Sequence, residues 1–185
     1  MKELRERYTG AEAERYEAQR RGVQWRREHE AVAAALDDLA PESVLDIPCG
    51  TGRFWPLYQE RGIQATGMDV SEDMMDQAGA RGWEDVRHGD IFRIPLLNAS
   101  VDVSVCVRLL NWMTASEAKA ALSELARVSR RVVVVSVGLG SGRRGRTPQH
   151  PDRILEAPHF GPPGETRILD GPTWRYVVAT LPVVR

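Results

Sequence analysis

Cysteine is scarce in this chain, and what there is does not suggest pairing. Cys49 and Cys106 are the only two in 185 residues, and both sit among apolar neighbours. They read as reduced thiols in a reducing compartment, the cytoplasm, and not as a disulfide framework. Charge of one sign is lacking too. The 25 Lys and Arg against 26 Asp and Glu leave a net charge of −1, which excludes a protein-wide field for nucleic acid or anionic lipid. No apolar run approaches the roughly 20 residues of a membrane-spanning helix. The longest lies within Arg131–Val137 and is strand-sized, so no membrane partner is expected. The opening MKELRERYTG is charged from the outset, and no signal peptide is expected. The histidines His29, His88, His150 and His159 show no metal-ligand spacing, so no metal is expected. There is no internal repeat, and the length suits one domain.

What is present is an alternation of two periods. Residues 1–40 are rich in Glu, Arg and Ala, with Leu4, Tyr8, Tyr16, Val32, Leu36 and Leu39 at helical spacing. The last helix there runs from about Gln24 to Leu39 and stops before Pro41. Short strands then alternate with helices. Ser43–Ile47, Gln64–Asp69, Val86–Asp90, Val101–Val107 and Arg131–Val137 read as buried parallel strands. Arg53–Arg61 is a helix that tolerates Pro56 near its start. Ser71 is placed to cap the next helix, and Thr114-Ala115-Ser116-Glu117 fits a capping box for a helix to about Arg130. Thr166–Asp170 and Trp174–Leu181, around Gly171-Pro172, read as a closing antiparallel hairpin. The expected fold class is α/β: a doubly wound, mostly parallel seven-stranded sheet with that hairpin at its C-terminal end. One domain is expected over 1–185, with an N-terminal helical lid (1–40), a binding core (41–137), a long loop (138–164) and the hairpin (165–185).

In an open α/β sheet, ligands bind at the carboxyl ends of strands where the strand order reverses. Pro48-Cys49-Gly50-Thr51-Gly52, Asp69, Asp90 and Arg108–Asn111 all fall on that edge. Gly50 and Gly52 permit a tight turn and close ligand approach. Asp46 is a carboxylate inside an apolar run and needs a partner or a cleft. Asp69 ends a strand about 20 residues past the loop, the spacing at which an acid meets ribose hydroxyls. The dinucleotide fingerprint fails because Arg53 stands where its third glycine belongs, and no Gly-Lys-Ser/Thr follows for a phosphate loop.

As a set, these segments resemble the class I methyltransferases that use S-adenosylmethionine (SAM). VLDIPCGTGRF resembles their first motif, MDVSEDMM their second, and HGDIFRIPLLNASVDVSVCVRLLNWM their third-strand acid and fourth strand. The resemblance covers about Ser43–Val137 and points to the broad small-molecule and ubiquinone-type group, which usually carries glycine where Pro48 stands. It implies a Rossmann-like methyltransferase fold and transfer of a methyl group from SAM, with S-adenosylhomocysteine (SAH) as product. Asp46, Pro48, Cys49, Gly50 and Gly52 would line the methionine portion and Asp69 would hold the ribose. Val70 and Met74 would pack on adenine, with Asp90 and Ile91 at its amino group. Val107 and Arg108 would present backbone to the ammonium. Tyr16, Arg20 and Trp25 in the lid are candidates for closing over the cofactor. Tyr8 and Trp112 are candidates for the acceptor side, and Asn111 for orienting the acceptor.

Arg108-Leu109-Leu110-Asn111-Trp112 is not the Asn/Asp-Pro-Pro-aromatic motif of amino methyltransferases acting on adenine. Cys106 lies inside its strand and reads as inert core, not as a nucleophile. A small-molecule acceptor is therefore expected. Arg143, Arg144 and Arg146 on the long loop keep nucleic acid open as a partner, and a homodimer is also open. A SAM-binding protein without transfer activity is the alternative, as is a methyltransferase acting on nucleic acid or protein.

Overall fold

The computed structural model describes Gly10, Arg15 and residues 23–137, 166–171 and 174–182. Tyr8, Tyr16, Arg20 and the 138–164 loop, with Arg143, Arg144, Arg146, His150 and His159, lie outside the described residues.

Seven strands form one sheet in the order β3-β2-β1-β4-β5-β7-β6. They are β1 Ser43–Asp46, β2 Gln64–Asp69, β3 Val86–His88, β4 Val101–Val107, β5 Ser129–Val137, β6 Thr166–Gly171 and β7 Trp174–Pro182. β1 pairs in parallel with both β2 and β4, β2 with β3, and β4 with β5. β7 is antiparallel to β5 and to β6, so the hairpin extends the sheet at one side. The expected α/β sheet is observed, hairpin included.

Four helices matter for the site: α1 Val23–Leu39, α2 Trp55–Glu60, α3 Glu72–Ala80 and α4 Ala115–Val128. Alternation along β1 divides two cores. Val44 joins Val32, Leu36, Tyr58, Ala78 and Trp83 on the face covered by α1, α2 and α3. Leu45 joins Met68, Cys106, Leu122 and Leu125 on the face covered by α4. A parallel strand buried on both faces needs this unbroken apolar run.

Several element ends differ from the sequence reading, each for a local reason. α2 starts at Trp55 because residues 52–54 are spent on tight turns, with Trp55 N–H donating to the Gly52 carbonyl and Leu57 N–H to that of Phe54. α4 ends at Val128, since Ser129 is already extended and begins β5. β3 stops at His88, and Asp90 forms a separate bridge with Arg93. The caps fall as the sequence indicates. Ser71 accepts from Met74 N–H, and Thr114 and Glu117 close a reciprocal capping box. Among the described residues no helix is long and apolar enough to cross a membrane.

Candidate functional site

β1 connects to β2 on one side of the sheet, while β4 and β5 continue on the other, so the order reverses between β1 and β4. A cavity opens at the carboxyl ends of these strands, where an α/β sheet of this kind takes its ligands. The loop after β1 is fixed from both flanks. Ile47 N–H donates to the Val105 carbonyl at 3.0 Å, and Cys49 N–H to that of Met68 at 2.8 Å. The two glycines of this loop have different reasons to be glycine. Both have positive φ, +55° at Gly50 and +75° at Gly52, a region that side chains disfavour. A Cβ on Gly50 would meet nothing within 4 Å, so open space lies over its backbone. A Cβ on Gly52 would stand 2.9 Å from the Ala78 Cβ and 3.3 Å from the Trp83 ring.

Pro48, Cys49, Gly50, Asp69, Val70, Met74, Asp90, Ile91, Val107, Arg108 and Trp112 all line the cavity. These were separate sequence candidates, and the fold brings them to one place. Asn111 sits in the short 3-10 turn Leu110–Trp112 that follows β4. Of the candidates whose side chains are described, three do not line the cavity. A Cβ on Gly52 would crowd Ala78 and Trp83, so its small size serves packing against α3. Asp46 is buried beneath the loop. Trp25 lies on the Arg53 guanidinium, with the guanidinium carbon 4.6 Å from the ring centroid.

The acids differ in state. Asp69 is buried, and its Oδ2 accepts from Gly50 N–H at 2.9 Å while its Oδ1 accepts from Ser71 N–H at 3.0 Å. Burial pushes its carboxyl above the ordinary range, and these backbone donors pull it back. Asp46 accepts at Oδ2 from the Tyr58 hydroxyl at 3.0 Å. Its Oδ1 is buried without a hydrogen-bond partner. Burial pushes the Asp46 carboxyl up to about 7, and both burial and Asp46 push the Tyr58 phenol up. Asp90 Oδ1 accepts from Phe92 N–H at 3.1 Å. Burial raises both thiols, Cys49 and Cys106, so neither is a thiolate at neutral pH.

Sequence reasoning did not single out several participants. Arg53, Phe54 and Leu109 line the cavity, and Glu28 is a fully enclosed acid behind it. Glu28 did leave a signal. It lies four residues before Val32 and eight before Leu36, on the buried stripe of α1, where an unpaired acid is too costly to stand alone.

Residues 45–135 match the family model described as a methyltransferase domain. Over that span the chain is similar to methyltransferase domains. Among curated relatives of this chain is the malonyl-[acyl-carrier protein] O-methyltransferase of Serratia marcescens. It is 38% identical over 92 residues, which are 48% of this chain and 34% of that protein. The O-methyltransferase resE of Aspergillus sclerotiorum is 30% identical over 107 residues, covering 54% of this chain and 40% of that one. The chain thus spans between a third and a half of the length of these relatives. In fold, the chain is similar to magnesium protoporphyrin IX methyltransferase of Synechocystis PCC 6803, solved with bound SAH. The TM-score is 0.73 at 18% identity, over 96% of this chain and 97% of that one. Geranyl diphosphate methyltransferase, solved with GPP and sinefungin, gives a TM-score of 0.68 at 16% identity, over 88% and 81% of the chains.

Proposed function

We propose that this chain binds SAM in the cavity at the carboxyl ends of β1–β4 and transfers its methyl group to a small-molecule acceptor. The observation that carries this reading is the open backbone at Gly50 joined to the Asp69 carboxylate in one crevice. Each Asp69 oxygen spends one acceptor site on a backbone N–H and keeps another for a ribose hydroxyl. Val70, Met74 and Ile91 offer an apolar slot for adenine, and Asp90 stands beside it to accept from the amino group. The buried, unpartnered Asp46 Oδ1 fits a cofactor with an ammonium at its tail. Its charge acts through the loop, and not as a wall of the cavity.

When bound, SAM supplies an activated methyl carbon on a sulfonium, and the bonding electron pair stays on sulfur as the methyl leaves. The protein's part is alignment. The acceptor atom must be held about 3–3.5 Å from the methyl carbon on the line away from sulfur. Arg108, Leu109 and Trp112, which follow β4, line the side of the cavity where that acceptor would be held. The Serratia marcescens relative is named for a malonyl group on an acyl-carrier protein, which supports a small acyl group as acceptor for this chain. Two buried free thiols suit a reducing compartment such as the cytoplasm.

Calorimetric titration of the full chain with SAH tests the reading. Binding at micromolar concentration, weakened by substitution of Asp69, is the expected result. An absence of heat with both SAM and SAH at millimolar concentration overturns it.

A further inference from the structure

Three charged side chains meet at the β4 side of the cavity in an unequal ratio. Glu28, on α1, is fully enclosed. Its Oε2 accepts from the Arg53 guanidinium at 2.5 Å. Its Oε1 lies 3.3 Å from the Arg108 guanidinium, without hydrogen-bond alignment. One carboxylate therefore answers two cations, and both cations line the cavity.

The two arginines are held very differently. Arg53 is clamped. Its guanidinium carbon is 4.3 Å from the Phe54 ring centroid and 4.6 Å from that of Trp25, and its side chain is 10% exposed. Such stacking leaves a planar cation little freedom. Arg108 is 25% exposed and only loosely paired. Its backbone adopts φ +61°, a left-handed conformation that costs a side-chain-bearing residue about 1 kcal/mol. That strain aims the residue just past the end of β4, at the cavity. Apolar surface from Phe54, Leu109 and Trp112 lies beside it. Asp69 and Asp90 stand at the β2 and β3 ends, so the cavity is acidic on one side and cationic on the other.

We propose that Arg108 is a specificity-determining residue that anchors a carboxylate on the acceptor, with Arg53 and Glu28 as its fixed support. The acceptor class is a carboxylic acid with an apolar body. This rests on the methyl-transfer reading above and deepens it. A guanidinium fork matches a carboxylate with two parallel hydrogen bonds. A carboxylate is ionised at neutral pH and needs no general base to become a nucleophile. Where the anchored carboxylate is itself methylated, the neutral ester loses its contact with Arg108 and is released.

The test is calorimetry on the full chain with octanoate and with octanamide, which differ in charge but hardly in shape, each in the presence and absence of saturating SAH. Octanoate should bind at least about tenfold more tightly than octanamide, roughly the value of one charge-assisted pair. Arg108→Gln should abolish that preference while changing SAH affinity less than about threefold, and Arg108→Lys should keep part of it. Equal binding of the two probes to the native chain overturns the proposal. So does an Arg108→Gln variant that keeps the preference but binds SAH more than tenfold more weakly, which would assign Arg108 to the cofactor's own carboxylate. Failure of SAH to bind would remove the methyl-transfer reading instead, and the arm without SAH still reads the carboxylate preference.

Discussion

Asp69 accepts a hydrogen bond from the backbone N–H of Gly50 at 2.9 Å, so the acid that ends β2 and the glycine turn that follows β1 are one mechanical unit. The same carboxylate holds Ser71 N–H at the start of α3. It therefore ties together two walls of the cavity that it lines.

Asp69→Ala should lose on two counts. It leaves two backbone donors without their partner, which costs about 1–3 kcal/mol, and it removes the ribose acceptor. SAH affinity should fall more than about tenfold, and the urea midpoint should fall as well. Asp69→Asn keeps one accepting oxygen and should lie between the two. Calorimetry and urea denaturation on the same preparations check both.

Substitutions at the two glycines should separate binding from folding. Gly50→Ala points into open space and should fold, with a penalty of about 1 kcal/mol for its positive φ, while SAH binding weakens. Gly52→Ala drives a methyl into Ala78 and Trp83. It should destabilise the chain by roughly 2–4 kcal/mol through overpacking and backbone strain together. Denaturation midpoints of the two variants give the comparison. Equal midpoints would contradict the packing role assigned to Gly52.

Asp46 should give the chain a pH signature. Its carboxyl titrates near 3.8 when unperturbed and is pushed up to about 7 by burial in the fold. The folded state then holds a proton that the unfolded chain has released. Its contribution is fully present below about pH 4 and is lost as pH rises through 7. Wild type should lose stability between about pH 4 and 7 relative to Asp46→Asn, which lacks the ionisation. An ammonium bound above the loop favours the charged form, so SAH binding near pH 6.5 should release a proton. Calorimetry in buffers of different ionisation enthalpy measures that release, and Asp46→Asn should abolish it.

Thr114→Ala opens the capping box of α4, whose Leu122 and Leu125 fill one core. A loss of about 1 kcal/mol is expected, with ligand affinity unchanged. Urea denaturation with and without SAH checks it.

Much of the site was legible because parallel strands place their carboxyl ends on one edge. Asp69, Asp90 and the glycine turn could be assigned to that edge from strand boundaries alone. Arg53 was hidden because it stood only as the residue that breaks the dinucleotide fingerprint. Glu28 was hidden because its partners are 25 and 80 residues away, and only packing reveals which acid meets which arginine. The close approach of Ala78 and Trp83 to Gly52 was hidden because a glycine required by a ligand and one required by a neighbouring helix look alike in one dimension.

The sequence by itself determined the alternation of elements, the caps at Ser71 and Thr114, and the edge on which a ligand would sit. Those follow from period, turn chemistry and chain direction, which are local properties. Only the tertiary structure decided that one buried carboxylate is shared between Arg53 and Arg108, that Asp46 lies beneath the loop with a lone oxygen, and that open space remains over Gly50 but not over Gly52. Burial, charge pairing and free volume depend on which distant segments are brought into contact, and no local pattern encodes those distances.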